Sequence, residues 1–140
     1  MESTNAPRAR ILVIGSEEGT AGSLMEGLSS SGHQVVRAAT GREALSRIEA
    51  RSCDLVILDC SLPDMDALEL LSRSKDLNPG SPVFLTAATP SVESAVEALR
   101  RGAYDFLIAP VKAEDLLRRV ENALHLRRLG EARRRTAEEV

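Results

Sequence analysis

The chain has 140 residues, of which 43% are hydrophobic and 28% are charged, and its formal net charge is −3 at pH 7. A chain of this size forms one domain around one core, and its negative charge gives no basis for direct binding to nucleic acid. No apolar run has transmembrane length and no signal-peptide pattern is present, so we expect a cytoplasmic protein with no membrane partner.

Short apolar runs alternate five times with helical periodicity. The apolar runs predict strands at residues 10–14, 34–38, 55–58, 82–86 and 104–108. Amphipathic patterns predict helices over residues 21–30, 41–50, 67–78 and 90–101, and a last helix that begins near residue 113. Residues 1–9 precede the first strand, and we expect them to form a disordered lead-in.

Local signals define several helix ends. Gly32 is placed to close the first helix in a left-handed conformation, and Thr40 with Glu43 matches a capping box that starts the second. The dipeptide Thr89-Pro90 predicts the start of the fourth helix, with proline at its first position. That helix carries four apolar residues at helical spacing: Val92, Ala95, Val96 and Leu99.

This order of elements predicts an α/β fold. Strands and helices that alternate with short connections form a doubly wound, five-stranded parallel sheet of flavodoxin-like topology. We assign residues 10–126 to the folded domain and residues 127–140 to a helical linker or tail rich in arginine. Four residues of the last helix are expected to pack on the sheet: Leu116, Val120, Ala123 and Leu124.

A carboxylate ends the most apolar strand. Leu55 to Leu58 form the run expected of a strand buried on both faces, and Asp59 follows where that strand reaches the carboxyl edge of the sheet. Sites of open parallel sheets are built at that edge. Asp59 is therefore either an exposed strand cap or a reactive group. Cys53 and Cys60 have no metal or redox spacing and are interpreted as buried thiols.

Three segments carry a resemblance to a known family. The stretch from Leu58 to Asp66, the strand end Leu85-Thr86-Ala87 and residues 102–110 resemble the receiver domain of bacterial two-component response regulators. The first is similar to the family's phosphoacceptor strand and its proline-containing loop. The second is similar to the strand end with the switch threonine, and the third to the fifth strand and the proline after it. The resemblance extends over roughly residues 10–126.

The resemblance implies roles for individual residues. Asp59 would accept a phosphoryl group from a histidine kinase, and Thr86 would donate its hydroxyl to a phosphoryl oxygen. Phe106 matches the aromatic switch residue, which packs differently when that hydroxyl moves. Such a domain is a regulatory phosphoacceptor rather than an enzyme.

Two departures from the family affect this chemistry. Family members end the first strand with an acidic pair that holds a divalent metal, whereas this chain has Gly15 and Ser16. The family's lysine before the last proline is replaced by Ala109. Mg²⁺ would be left with Asp59 and, if the loop turned inward, Glu17. Because a metal and a lysine offset repulsion between carboxylate and phosphoryl group, we expect an atypical receiver whose phosphorylation is weak or absent.

Each of these residues also has a purely structural interpretation. Asp59 is then an inert carboxylate, Thr86 ends a strand and Phe106 belongs to the core. His33 and His125 are expected to be ordinary surface residues.

Two other functions remain open from the sequence. One is a phosphorylation-independent protein–protein docking module. The other is an electron carrier, because residues 11–20 also resemble the phosphate loop of flavodoxins, which bind flavin mononucleotide. Glu17 and Glu18 would repel that phosphate, and the chain has only 2% aromatic residues to sandwich a flavin.

The expected partners follow from the tail and the fourth and fifth helices. The tail resembles the linker that joins receivers to output domains in sigma-54-dependent activators, so DNA contacts would lie outside this domain. We expect a histidine kinase or another protein partner, and a downstream output domain. We also expect a homodimer through the surface formed by the fourth helix, the fifth strand and the fifth helix.

Overall fold

Five short strands form one parallel sheet in the order β2-β1-β3-β4-β5. The computed structural model describes residues 9–139, without the side chains of residue 132 and of residues 134–139. The strands are β1 Arg10–Ile14, β2 Gln34–Ala38, β3 Leu55–Asp59, β4 Val83–Ala87 and β5 Asp105–Ile108. Each lies within about one residue of its predicted position, and the predicted α/β fold is confirmed.

Helices connect successive strands and cover both faces of the sheet. A short 3-10 turn, Gly22–Leu24, leads into α1, and the helices are α1 Met25–Ser30, α2 Gly41–Glu49, α3 Ala67–Leu77, α4 Val92–Arg100 and α5 Ala113–Glu139. Within residues 9–139, none of these helices combines the length and apolarity that a membrane span requires. The predicted lead-in, apart from Ala9, lies outside the described residues.

Two layers of buried apolar side chains hold the helices on the sheet. One layer, which includes Leu58 and Leu71, lies between the sheet and the helices α2, α3 and α4. The other, which includes Ile57 and Phe84, lies between the sheet and α1 and α5. Successive strand residues alternate between the two layers, so the central strands must be apolar throughout. The predicted buried face of α5 is confirmed: Leu116, Val120, Ala123 and Leu124.

The predicted capping box at the start of α2 is present and is reinforced by a second chain segment. Thr40 Oγ1 accepts a hydrogen bond from the Glu43 N–H at 3.1 Å. Asp64, in the loop after β3, accepts from the Gly41 N–H at 2.8 Å and from the Arg42 N–H at 3.0 Å. Asp64 therefore ties the loop that follows Asp59 to the first turn of α2.

Helix α4 begins later than predicted, and its apolar stripe faces away from the core. Its predicted start at Pro90 is wrong, because Ser91 is the N-cap and its Oγ accepts from the Ser94 N–H at 3.0 Å. A serine hydroxyl satisfies a free N–H of the first turn, which a proline cannot do. The apolar stripe of the helix also faces outward, since Ala98 is its one buried residue while Val92 is 81% exposed and Leu99 54%.

His33 was expected on the surface, and that prediction is wrong. Its side chain is 5% exposed, and Nδ1 accepts a hydrogen bond from the Ala9 N–H at 3.2 Å. Burial lowers the pKa of His33, although nearby Glu121 opposes the shift. The imidazole therefore acts as a neutral acceptor that fixes the start of β1. A lone histidine beside a glycine gives no sequence signal for such a contact.

An ion-pair cluster joins α5 to the opposite edge of the sheet from Asp59. Asp54, just before β3, accepts hydrogen bonds from the Arg10 N–H at 2.8 Å and from Arg127 Nη1 at 3.0 Å. Arg10 Nη2 lies 3.2 Å from the same carboxylate. Burial alone would raise the pKa of Asp54, but the hydrogen bonds from Arg10 and Arg127 outweigh it and hold the pKa at about 2. The cluster thus fixes α5 at Arg127.

We expect Asp54→Asn to lower the free energy of unfolding at pH 7 by about 1–2 kcal/mol, after allowance for partial exposure of the pair. The folded pKa lies below the ordinary value of 3.8, so this stabilisation is present above pH 4 and is lost as the pH falls toward 2. Urea denaturation of both proteins from pH 7 to pH 2 measures it. The exposed Asp76→Asn is the matched control, and equal losses in the two variants would contradict the prediction.

Candidate functional site

Asp59 and Thr86 lie side by side at the carboxyl edge of the sheet. Asp59 is the last residue of β3, which lies between β1 and β4. The β3–β4 register pairs Asp59 with Thr86, and the Cys60 N–H donates to the Thr86 carbonyl oxygen at 2.8 Å. The strand order thus brings the ends of three strands to one cleft.

The Asp59 side chain is largely enclosed. It is 6% exposed, and its Oδ1 accepts a hydrogen bond from the Ser61 N–H at 3.3 Å. Buried carboxylates depend on such donors, because burial removes the water that would otherwise solvate the charge. The local turn after β3 therefore supplies one donor to one oxygen of Asp59. The other oxygen faces the loop that follows β1.

We call residues 15–20, which follow β1, the β1 loop. Gly15 has φ +146°, and a Cβ built there would lie 2.8 Å from Asp59 Cβ. A Cβ built on Gly19 would lie 2.6 Å from Asp59 Oδ2. No other residue type fits either position without displacing a neighbour. The backbone of the β1 loop therefore occupies the space beside the carboxylate.

The acidic residues of the β1 loop, Glu17 and Glu18, lie at the rim of the cleft together with Ser16. Ser16, Glu17 and Glu18 are exposed, and they line the cleft that also contains Asp59. Within the part of the chain that the structure describes, no three His, Cys, Asp or Glu side chains are grouped to hold a metal ion. One enclosed carboxylate whose Oδ2 faces Gly19 does not fit Mg²⁺, which needs several oxygen ligands.

The hydroxyl of Thr86 is buried without a partner. The residue is 0% exposed, and Oγ1 makes no hydrogen bond within the described residues. Such an orphan hydroxyl is uncommon in a folded protein and costs free energy. Thr86 itself is paired in register with Asp59, so this orphan hydroxyl belongs to the strand position next to the carboxylate.

The two positions on β5 and beyond have contrasting environments. Phe106 is half-buried and packs against the layer that contains Leu85 and Ala98. Ala109 is half-buried, and its N–H donates to the Ala87 carbonyl oxygen at 2.9 Å. Position 109 therefore continues the sheet ladder with no positive charge toward the cleft.

Sequence reasoning missed one residue of the cleft, Arg37. It is half-buried near the end of β2, paired in register with Val13, and it lines the same cleft as Asp59. Its Nη1 donates to the Gly15 carbonyl oxygen at 3.0 Å. Arg37 could have been found from the strand register, because it stands one residue before the carboxyl end of β2, at the same edge of the sheet as Asp59.

Cys60 is chemically quiet despite its place beside the carboxylate. Burial raises the pKa of its thiol to about 11, with further contributions from Asp59 and Asp66. The thiolate is the reactive form of cysteine, so this thiol is unreactive at neutral pH. Cys53 is buried with a raised pKa for the same main reason. Both are free thiols, as the sequence predicted, but only Cys53 is fully buried, whereas Cys60 is half-buried.

Comparison with known proteins settles the family. The chain matches the response regulator receiver domain over residues 11–121. The chain belongs to this family of receiver domains. This family consists of regulatory domains of two-component systems, and the assignment favours the receiver over the flavodoxin-like alternative.

Relatives and solved structures agree with the assignment. The transcriptional regulatory protein ZraR of Salmonella typhimurium is 37% identical over 121 residues, which cover 86% of this chain and 27% of ZraR. A CheY-like receiver domain from Methanospirillum hungatei has a TM-score of 0.82 at 31% identity, and the match covers 89% of this chain and 99% of that one. The receiver therefore spans about a quarter of the length of this curated relative.

A second similar structure is a dimer. The beryllofluoride-activated receiver domain of NtrC4, solved in solution, has a TM-score of 0.77 at 32% identity. The match covers 84% of this chain and 98% of the NtrC4 chain.

We expect Thr86→Val to stabilise this receiver by about 1 kcal/mol, because it removes a buried hydroxyl that has no partner. Thr86→Ser is the matched control, since it keeps the hydroxyl but removes a buried methyl group and should destabilise by about 1 kcal/mol. Urea denaturation of the two variants beside the parent protein measures both. A destabilised valine variant would mean that the hydroxyl has a partner in solution.

Proposed function

We propose that this receiver is atypical, with weak or absent phosphorylation of Asp59 and regulation that depends mainly on partner binding. The enclosure of Asp59 by the β1 loop is the observation that carries the proposal, since Gly19 lies against Oδ2. In this proposal Asp59 remains the acceptor position and Thr86 the phosphoryl-binding hydroxyl, with Phe106 as the switch residue. Binding of Mg²⁺ at Asp59, with or without Glu17, is proposed to be weak.

The electrostatics of phosphoryl transfer support impaired reactivity. A carboxylate that attacks a phosphoryl group brings two negative charges together, and cations that clamp the transferring oxygens offset this repulsion. Gly15 and Ser16 supply no carboxylate for a metal, and Ala109 supplies no cation. Loss of one well-placed electrostatic group costs on the order of 10²–10³ in rate.

One prediction of this proposal concerns covalent phosphorylation. After incubation with acetyl phosphate and Mg²⁺, we expect intact mass to show less than about a tenth of the chains carrying a phosphoryl group, because both electrostatic aids are absent. Ala109→Lys restores a cation without altering the β1 loop and should raise the rate about ten-fold or more.

Two controls keep this measurement specific. Asp59→Asn should gain no phosphoryl group, and Ala109→Met tests whether side-chain length alone changes the rate. Rapid, stoichiometric labelling of the parent protein, absent from Asp59→Asn, would overturn the proposed impairment and leave an ordinary phosphoacceptor.

The face formed by α4, β5 and α5 supports regulation through protein contacts. Its α4–β5 part is apolar and exposed, with Val92, Val96, Leu99, Tyr104 and Ile108 each at least 40% exposed. Its α5 edge is polar, where Arg119 lies 2.6 Å from Asp105 and 3.2 Å from Asp115. An apolar patch with a charged rim is typical of a protein interface.

We propose a second copy of the chain as the occupant of this face. The NtrC4 receiver, which this chain resembles over 84% of its length, is described as a dimer in its beryllofluoride-activated form. Helix α5 continues beyond the sheet to Glu139 and presents Leu126 and Leu129, which are 54% and 43% exposed. These residues would extend the contact between two copies along the helix.

We further propose that the receiver controls an output domain in a longer regulator. This chain spans 27% of ZraR, a transcriptional regulatory protein, so most of that relative has no counterpart here. The likeness of the tail to linkers of sigma-54-dependent activators supports the same arrangement. A histidine kinase is the proposed upstream partner, and DNA contacts are assigned to the output domain.

The second candidate function is a constitutive docking module. The outward-facing stripe of α4 favours it, because that stripe is exposed without any phosphoryl group bound. Amide spectra of a switching receiver change on addition of beryllofluoride and Mg²⁺, whereas those of a constitutive module remain unchanged.

A further prediction concerns the oligomeric state. We expect Val96→Glu with Leu99→Glu to weaken self-association at least about ten-fold, because two charges would replace apolar contacts. Sedimentation velocity across a concentration series measures the dimer fraction. Val36→Glu, at an exposed apolar position on β2, is the control and should leave it unchanged. A parent protein that stays monomeric at high concentration would contradict dimerisation.

A further inference from the structure

The β1 loop is compact as well as close to Asp59. A Cβ built on Gly22 would lie 2.3 Å from the Ser16 carbonyl oxygen, so the chain folds back on itself without room for a side chain. The Gly19 N–H donates to the Ser16 carbonyl oxygen at 3.1 Å and closes a turn. The loop is therefore tightly folded beside the carboxylate.

Hydrogen bonds fix the loop at both ends. At the start, the Gly15 N–H donates to the Ala38 carbonyl oxygen at 3.0 Å, and the Gly15 carbonyl oxygen accepts from Arg37 at 3.0 Å. At the end, the Ser23 N–H donates to the Gly19 carbonyl oxygen at 3.0 Å. Arg37 is thus a charged side chain from another strand that holds the loop by its backbone.

The charges around the cleft give Arg37 a second effect. Asp59, Glu17 and Glu18 line the cleft, and Arg37 is the one cation among the described residues that line it. Its positive charge offsets repulsion among three carboxylates, which would otherwise favour a more open loop. Removal of this charge therefore both breaks a charge-assisted hydrogen bond and increases the repulsion.

We propose that Arg37 is a positioning residue that holds the β1 loop against the Asp59 carboxylate and so limits access of reactants to it. The inference rests on the proposed function, because it identifies what keeps Asp59 enclosed. Arg37 acts through Gly15 and Gly19 rather than by contact with Asp59. In this chain a guanidinium bound to a carbonyl oxygen organises the loop without an acidic pair.

Carbodiimide labelling tests the proposal because it measures only how accessible each carboxylate is. A water-soluble carbodiimide with glycine ethyl ester converts accessible carboxylates to amides, and peptide fragmentation reports the rate at each site. Exposed Asp76 is the internal reference. We expect Asp59 in the parent protein to react at least about ten-fold more slowly than Asp76, and Arg37→Met to raise the Asp59 rate about ten-fold.

Three further variants separate positioning from general stability. Arg37→Lys keeps a donor and a charge and should restore part of the protection, while Arg42→Met, at an exposed arginine of α2, should have no effect. Gly19→Ala changes the contact with Asp59 without touching Arg37, because its Cβ would meet Oδ2 at 2.6 Å, and it should therefore alter the Asp59 rate but not the Asp54 rate. These variants share the same carbodiimide measurement.

The rate at Asp54, which lies at the other edge of the sheet, reports general unfolding. Faster labelling of Asp59 alone in Arg37→Met supports the proposal. Unchanged labelling of Asp59, or a matching rise at Asp54, overturns it, as does rapid labelling of Asp59 in the parent protein. The readout needs neither phosphoryl donor nor metal, so it decides the role of Arg37 even if acetyl phosphate shows that Asp59 is an ordinary acceptor.

Discussion

The structure of this receiver depends on one constraint, a negative charge at the end of a strand that is buried on both faces. Asp59 ends the central strand β3, and each of its neighbours must satisfy or shield that charge. The Ser61 N–H satisfies one oxygen, while the β1 loop shields the other. Substitutions elsewhere in the cleft therefore act on Asp59 by changing the position of the β1 loop.

The replacement of the family's acidic pair by Gly15 and Ser16 has a structural as well as a chemical effect. Acidic side chains at these positions would repel Asp59 and keep space for a cation between them. Gly15 has neither charge nor side chain, and its backbone lies close beside Asp59 in this structure.

Much of the architecture was predictable because it follows from periodicity. Apolar runs of four or five residues between amphipathic segments predicted the five strands, and the position of Asp59 at the end of the third run placed it at the carboxyl edge of the sheet. Pro90 did not predict the start of α4, because the adjacent Ser91 can cap the first turn and so moves the start of the helix by two residues. The outward stripe of α4 was also hidden, since helical spacing shows that a face is apolar but not what covers it.

The detailed contacts in the cleft depend on distances between residues that no sequence pattern encodes. The contact between Gly19 and Asp59 arises from how the β1 loop turns in space, and the sequence shows only a glycine. Arg37 became recognisable through the register of β1 against β2. His33 was misplaced because a single polar residue can be buried by one backbone donor, and nothing in its local sequence shows where that donor lies.

The ion pair between Arg127 and Asp54 fixes the orientation of α5 relative to the sheet. A helix of 27 residues is roughly 40 Å long, and it is held to the sheet both by its buried first half and by an ion pair near its middle. The helix is therefore held to the sheet at two separate places along its length, which restricts its movement relative to the sheet. A small rotation of the sheet would then swing the far end through a larger arc, so any module attached there would sense orientation rather than mere proximity.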